Sequence, residues 1–474
     1  MSAPEVGPGV DSVEPDPTHA PAEPSSSSVE AVRARVRMLW GDSLIRNSMF
    51  VMATTAVNAG FGYIYWMVAA RLFEDAVVGR ATAVIAAMNL TALVANLGLG
   101  TSLVEHLPTK KDAASWQRHV SAVALLAVGT ALTLGVGVAL VLPAVMDAFE
   151  PIMDGPMTAV FIVGVVAWVF SVVIDHLFIA ERRSDGMLAR NATFAIGKLV
   201  LLLPIGLAAV EDERWLVGTW VIGSTTSVIG AVFIIAPWIG RRIRVRRDGT
   251  AREIRPMVAS TLGHHLANLG GEFPMFLLPV IVISRAGDEA SAYFYVTWMV
   301  GSIFFTVSAA ASASLFAEGS HEPGESAQQL RRALVLIGTI LTPVALVMVV
   351  LGRFVLGLFG DAYADAGYAL LILLVISAVP DAVTNVWVAR WRVLGWISQT
   401  AIANVGMAII ALAYTWWKVP EMGIEAAGWG WIISQTIGTA YTFAVEGWHW
   451  WRGGRADRVA RPSTDSRPEA LERS

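Results

Sequence analysis

The sequence contains no cysteine and few charged residues. The absence of cysteine from its 474 residues excludes disulfide bonds, thiolate metal ligands and a cysteine nucleophile. Only 15% of the residues are charged, whereas 55% are hydrophobic, and the mean hydropathy is +0.58. Soluble domains carry nearer a quarter charged residues, so this composition predicts a polytopic membrane protein.

Twelve apolar runs are long enough to cross a bilayer as helices. They cover residues 47–70, 79–104, 119–143, 157–180, 188–210, 216–238, 257–284, 290–317, 333–358, 366–389, 396–417 and 424–447. The sequence outside them is polar. Residues 1–42 are rich in Pro, Ser and Glu, residues 452–474 are rich in Arg, and both segments are predicted to be disordered cytoplasmic tails.

Lys and Arg are distributed unevenly between the two sides of these twelve runs. The side that carries both tails holds 27 of the 34 basic residues, and Lys198 lies within a helix. The other side holds six, namely Arg71, Arg80, Arg214, Arg285, Arg353 and Lys418. This asymmetry predicts twelve spans in the cytoplasmic membrane with both termini in the cytoplasm. The basic run 241–247 is expected to contact anionic membrane lipids rather than nucleic acid.

The two halves of the sequence repeat each other. VFSVVID (Val169–Asp175) and VISAVPD (Val375–Asp381) match at an offset of 206, and Ala53-Thr54-Thr55 matches Ala259-Ser260-Thr261 at the same offset. Because each half has six spans, the repeat is parallel. The pattern predicts an all-α fold with two six-helix lobes, 43–238 and 257–451, around a central cavity. A basic linker, 239–256, joins the lobes.

The seventh run is too polar to face lipid. Ser260, Thr261, His264, Asn268 and Glu272 recur at spacings of three and four, which places them on one helix face. An acidic residue inside a span is costly unless it faces protein or water, so we expect this face to line a wet cavity. Glu272 is predicted to bind a coupling ion (H⁺ or Na⁺) or the substrate. Alternatively, His264, His265 or backbone opened at the predicted Gly270-Gly271…Pro274 break satisfies the carboxylate and holds a kink.

Other polar and aromatic residues extend this predicted cavity. Asn58 and Trp66 lie on the first helix, Asn89 on the second and Trp298 on the eighth. Aromatic rings beside amides suit sugar stacking and hydroxyl binding, whereas the alternative is that the aromatic residues are interfacial anchors. Near the inner ends of the fourth and tenth helices, inner-gate salt bridges are expected, with proton relay as the alternative; the residues are Asp175, Asp381, Arg183 and Arg390.

Five segments resemble the polysaccharide-biosynthesis flippases of the multidrug/oligosaccharidyl-lipid/polysaccharide (MOP) exporter superfamily. They are SLIRNSMFVM, AARLFEDAVVGRATAV, NLGLGTSLVEHLP, SLFAEGSH and LGLFGDAYADAGYALLILL. The resemblance implies alternating access by two six-helix lobes, with helices 1, 2, 7 and 8 lining a portal. It also implies translocation of an undecaprenyl-pyrophosphate-linked oligosaccharide for cell-surface polysaccharide biosynthesis, in functional partnership with glycosyltransferases and a polymerase. Lipid II flippases usually have fourteen helices, which argues against that assignment.

A pyrophosphate lipid requires cationic contacts, for which Lys198 and Arg46 are the candidates. One alternative function is a multidrug or cation antiporter of the same superfamily. Another is a membrane glycan polymerase or ligase, but such enzymes generally need a large outer loop, and the predicted outer loops are short. No Walker motif or Gly-rich phosphate loop is present, so we expect no ATP hydrolysis by this chain. We predict a non-enzymatic flippase, with no cofactor or metal, that is driven by an ion gradient or by substrate flux.

Overall fold

The computed structural model describes residues 43–110, 112–208, 212–238, 240–241, 243, 250–319 and 326–459. In these residues the secondary structure is entirely helical. The amino-terminal lobe (N-lobe) consists of α1 (Ser43–Leu72), α2 (Asp75–Ala95), the short α3 (Leu99–His106), α4 (Ala113–Val145), α5 (Gly155–Ala180), α6 (Ser184–Leu207) and α7 (Glu213–Trp238). Leu97 and Gly98 have positive φ angles and separate α2 from α3.

The carboxy-terminal lobe (C-lobe) consists of α8 (Thr250–Ala286), α9 (Asp288–Gly319), α10 (Ser326–Gly357), α11 (Asp361–Val393), α12 (Ile397–Met422) and α13 (Glu425–Val459). Each predicted span corresponds to one of these helices, with α2 and α3 together forming the second. Within the described residues, nine helices are long and apolar enough to cross a membrane, namely α2, α4–α7 and α9–α12. Large apolar side chains such as Leu140, Val350 and Phe354 are exposed on the outside, where lipid would cover them.

The two lobes repeat one packing scheme. In the N-lobe, α1 packs on α6, α6 on α7, α5 on α7 and α4 on α5. In the C-lobe, α8 packs on α12, α12 on α13, α11 on α13 and α10 on α11. These are the same pairs shifted by six spans, so the predicted fold of two parallel six-helix lobes is confirmed. The lobes meet where α2 packs against α8 and α9.

The loops are held by polar side chains outside the spans. Asp112 caps α4 by accepting a 2.8 Å hydrogen bond from the backbone N–H of Ser115, and the Ser115 hydroxyl donates to the same carboxylate. These hydrogen bonds lower the pKa of Asp112. Asp212 caps α7 in the same way, and the guanidinium of Arg214 lowers its pKa.

One sequence prediction about the course of a helix is wrong. The helix α8 runs without interruption through the predicted break at Gly270-Gly271…Pro274. A proline removes one backbone hydrogen bond, but in membrane helices the packing of neighbouring helices and small local adjustments compensate for it, so a helix can continue through Pro274. In addition, α8 begins at Thr250, inside the predicted linker 239–256, and α13 continues to Val459, beyond the predicted lobe end at 451. The predicted tail 1–42 and residues 460–474 of the predicted tail 452–474 lie outside the described residues.

Candidate functional site

A cavity of about 760 Å³ lies between α1, α5, α6 and α7 of the N-lobe and α9 of the C-lobe. We call it the N-lobe cavity. Its lining is mostly apolar and aromatic, and it contains three charged residues, Asp175, Arg190 and Lys198. The aromatic rings that contribute are Tyr63, Trp66, Trp168, Phe194, Trp220 and Tyr295. Cavities of this volume and character are typical of sites for small molecules and amphiphiles.

Lys198 extends from α6 into an aromatic box. Its Nζ lies 3.9 Å from the ring centroid of Trp220, 4.8 Å from that of Phe194 and 4.9 Å from that of Tyr65. Only 4% of the residue is exposed, and no carboxylate of the described residues lies within 4 Å of its Nζ. Gly223 allows α7 to approach, because a Cβ there would be 3.3 Å from the Lys198 backbone and Cβ. The rings stabilise the ammonium but leave its charge uncompensated.

Arg190, by contrast, is neutralised within the lobe. Its Nε and Nη2 donate to the two oxygens of Asp175 at 2.6 and 2.7 Å, a bidentate pair. Asn191 also donates to Asp175, and Asn58 donates to the Oδ1 of Asn191 at 2.9 Å. This network links α1, α5 and α6. Since the Asp175 and Arg190 charges cancel, Lys198 gives the described cavity lining its net positive charge.

The C-lobe contains a second cavity, of about 470 Å³, which we call the C-lobe cavity. Asp381 lines it and is 4% exposed; its Oδ2 accepts a 2.8 Å hydrogen bond from Asn385. No basic side chain of the described residues pairs with Asp381. Trp298 forms an edge-to-face pair with Trp431 in the same lining, with centroids 5.2 Å apart. The charge of this cavity is therefore opposite in sign to that of the N-lobe cavity.

A smaller pocket of about 210 Å³ lies where α2 meets α8, and we call it the inter-lobe pocket. It is lined by Asn89 of α2, by Asn96 directly after α2, by His176 of α5, and by His265 and Glu272 of α8. Glu272 also borders the C-lobe cavity, so it lies between the two spaces. Among the described residues, no side chain forms a hydrogen bond or ion pair with Glu272.

The two lobes are in close contact at the end of the molecule where α1 ends and where α2 and α9 begin. We call it the closed end. Arg80 donates to Glu213 of the N-lobe at 3.1 Å and to Asp288 of the C-lobe at 2.8 Å. Tyr293 donates to Asp75 at 2.7 Å. The backbones touch at Gly79, where a Cβ would lie 1.8 Å from the carbonyl oxygen of Asp288.

The predicted cavity residues occupy three adjoining spaces. Asn58 and Trp66 line the N-lobe cavity, Trp298 the C-lobe cavity, and Asn89 and Glu272 the inter-lobe pocket. The side chains of His264 and Asn268 lie outside the described residues. Lys198 lies in the N-lobe cavity, whereas Arg46 is in the first turn of α1, six residues before the lining residue Met52.

The predicted gate residues have other partners in this structure. Arg183 pairs with Asp185 at 2.7 Å, and Arg390 pairs with Glu446, so neither contacts Asp175 or Asp381. The network around Asp175 instead depends on Arg190 and Asn191. Arg190 is one of three basic residues that follow Asp175 closely in the sequence, with Arg182 and Arg183, and the packing of α5 on α6 shows that it is the one that forms the pair. The sequence alone did not single out Asn191.

The fold is shared with solved membrane transporters. The inward-facing conformation of a multidrug resistance MATE family transporter of the MOP superfamily matches with a TM-score of 0.63 and 15% identity, over 85% of this chain and 96% of that one. The lipid II flippase MurJ, inward closed, matches with a TM-score of 0.67 and 10% identity, over 84% and 87%. A MOP superfamily transporter from Pyrococcus furiosus, described as having reverse polarity of its binding pocket, matches with a TM-score of 0.56 and 17% identity, over 90% and 99%. No family model and no curated protein sequence matches the chain.

Proposed function

We propose that this chain is a non-enzymatic flippase. It moves a polyprenyl-pyrophosphate-linked oligosaccharide from the inner to the outer leaflet of the cytoplasmic membrane by alternating access. The observation that carries this proposal is Lys198, a buried cation in an aromatic cavity, for which the described residues provide no carboxylate partner. A buried charge is costly unless an opposite charge approaches it, and a phosphate oxygen supplies that charge.

The rest of the N-lobe cavity suits the remainder of such a substrate. Sugar rings pack on aromatic faces, and Trp66, Trp168 and Tyr295 lie along the lining together with the amide of Asn58. The cavity extends from Trp66 to Met52 along α1, towards the end of the molecule that the distribution of Lys and Arg places in the cytoplasm. The substrate therefore enters from the inner leaflet while the closed end seals the outer side.

The C-lobe cavity favours a second candidate, a multidrug or cation antiporter. Asp381 and Glu272 both border this cavity, and neither has a basic partner among the described residues. An acidic, aromatic cavity suits an organic cation, because carboxylates and the faces of tryptophan rings both attract positive charge. The two candidates thus use different cavities and require substrates of opposite charge.

Transport by the purified chain in proteoliposomes distinguishes the candidates. A fluorescent polyprenyl-pyrophosphate-linked oligosaccharide, the corresponding monophosphate and a cationic dye would be supplied separately. We expect the pyrophosphate-linked glycan to cross fastest, the monophosphate more slowly and the dye not at all. Movement of the dye alone would overturn the flippase proposal in favour of the antiporter.

A further inference from the structure

Two polar side chains of α13 line the C-lobe cavity with buried atoms that lack partners. The indole Nε1 of Trp431 and the side-chain oxygen Oε1 of Gln435 have no hydrogen-bond partner among the described residues. Gln435 is 5% exposed. The spacing of four residues places both side chains on one face of α13, one turn apart. Buried polar atoms are nearly always paired, so an open donor beside an open acceptor requires an explanation.

These groups indicate the chemistry of a ligand that would pair with them. The Nε1 of Trp431 only donates, whereas the Oε1 of Gln435 and the carboxylate of Asp381, in the same lining, accept. An organic ammonium only donates and would leave the indole N–H open. A phosphate only accepts and would leave Gln435 and Asp381 open. A hydroxyl both donates and accepts, so neighbouring hydroxyls, as in the vicinal diol of a sugar, satisfy all three groups.

The size and the walls of the C-lobe cavity also suit a sugar ring. Its volume of about 470 Å³ lies within the range of small-molecule sites, about 300–1,000 Å³. Trp298, Phe305 and Trp431 form an aromatic cluster in the lining, with ring centroids 5.2, 5.3 and 5.9 Å apart. A sugar ring has apolar C–H faces that pack against aromatic rings and hydroxyls at its edge, and this cavity offers partners for both.

The C-lobe cavity adjoins the N-lobe cavity along α9. Ser302 and Thr306 of that helix line both cavities. Lys198 lines the N-lobe cavity, and Gln435 lines the C-lobe cavity. A substrate whose pyrophosphate contacts Lys198 can therefore extend its glycan past Ser302 and Thr306 into the second cavity.

We infer that the C-lobe cavity is a saccharide subsite that binds a vicinal diol of the glycan, with Trp431 donating to it and Gln435 and Asp381 accepting from it. This inference rests on the proposed function and assigns different parts of one substrate to the two lobes. The pyrophosphate and the sugars next to it occupy the N-lobe cavity, and a later sugar reaches the C-lobe cavity. The subsite selects glycans whose hydroxyls at that sugar are unsubstituted.

Two soluble probes separate the saccharide contacts from the phosphate contacts. They are radiolabelled geranyl pyrophosphate and the same molecule carrying a trisaccharide of unsubstituted hexoses, each bound to the purified full-length chain in detergent. We expect the wild type to bind the trisaccharide probe more tightly. Trp431→Phe keeps an aromatic ring without the N–H, and Gln435→Met keeps the length without the amide. Each should weaken binding of the trisaccharide probe about 2- to 10-fold, as expected for one hydrogen bond, and leave geranyl pyrophosphate unaffected.

The matched control is Trp429→Phe, which removes an indole N–H from an exposed position on the same helix. It should bind both probes as the wild type does, whereas Lys198→Met should weaken both, since both carry the pyrophosphate. Elution of each variant as a single monodisperse peak shows that it is folded.

The outcomes separate this inference from the proposed function. Equal affinity of the wild type for the two probes, or an unchanged difference in Trp431→Phe and Gln435→Met, would overturn the saccharide subsite. The proposed function would stand in that case if Lys198→Met still weakened both probes. Binding of a cationic dye with no binding of either probe would overturn both.

Discussion

Asp175 and Asp381 occupy equivalent positions in the two lobes, but among the described residues only Asp175 has a basic partner. They end the two matching segments of the repeat, one on α5 and one on α11. Arg190 is the seventh residue of α6, and the seventh residue of α12 is Ala403, so the C-lobe lacks the arginine. Asn191 and Asn404, the eighth residues, are retained. The part of the chain that the structure describes therefore has an ion pair in the N-lobe cavity and an acid without a basic partner in the C-lobe cavity.

This difference predicts that alanine substitutions of the two aspartates have unequal effects on the stability of the protein. Asp175→Ala leaves the buried guanidinium of Arg190 unpaired and should cost about 3–5 kcal/mol, whereas Asp381→Ala removes an unpaired carboxylate and should be close to neutral. Thermal unfolding of the detergent-solubilised chain, followed by tryptophan fluorescence, measures the difference. The double variant Asp175→Ala/Arg190→Met should recover most of the loss. Equal destabilisation by the two single variants would contradict the account.

The contacts at the closed end predict how the lobes separate. Arg80→Ala removes the bridge between Glu213 and Asp288 and should populate the state open at this end. Because the chain has no cysteine, Ser291→Cys, buried beside Gly79, provides a single reporter. Its labelling by a membrane-impermeant maleimide from the outer side should increase severalfold with Arg80→Ala.

The matched control for this labelling is Arg214→Ala. Arg214 lies at the same end but pairs with Asp154 and Asp212 inside one lobe. Labelling of Ser291→Cys in that background should remain at the wild-type level. An equal increase with both arginine variants would indicate general loosening rather than release of the contact between the lobes.

Tethering the closed end should stop transport. Asp75 and Tyr293 are hydrogen-bonded between the lobes, so cysteines introduced at both positions can be joined by a short bismaleimide. We expect the joined protein to lose flipping activity, because the outer side can no longer open, while the same variant without the reagent remains active. Cysteines at Lys418 and Glu421, neighbours on α12, are the control pair and should have no effect when joined. Unimpaired flipping by the tethered Asp75/Tyr293 variant would exclude opening at this end.

Much of the fold could be predicted from the sequence because each apolar run ends at charges, Gly or Pro. The repeat also located the equivalent residues Asp175 and Asp381. Which of the nearby basic residues pairs with Asp175 could not be predicted, since it depends on how α5 packs against α6. Similarly, the spacing of the polar residues placed Glu272 on a polar face of α8, but the opposing Asn89 belongs to the other lobe.

The surroundings of Lys198 also could not be predicted from the sequence. The sequence identified it as the basic residue within a span, with a pyrophosphate contact or simple snorkelling as its interpretations. The aromatic box comes from Tyr65 on α1, Phe194 on α6 and Trp220 on α7, and these helices are far apart along the chain. Only their packing shows that the ammonium is enclosed and borders the cavity.

The flipping rate of Lys198→Met in proteoliposomes containing a polyprenyl-pyrophosphate-linked oligosaccharide tests the central claim most directly. Methionine preserves the length and apolar contacts of the side chain but removes the charge, so the fold should persist and the rate should fall at least about 10-fold, since a charged hydrogen bond contributes about 1.5–3 kcal/mol. Lys418→Met, which removes a half-buried lysine paired with Glu421, should keep the wild-type rate. A wild-type rate for Lys198→Met would contradict the account.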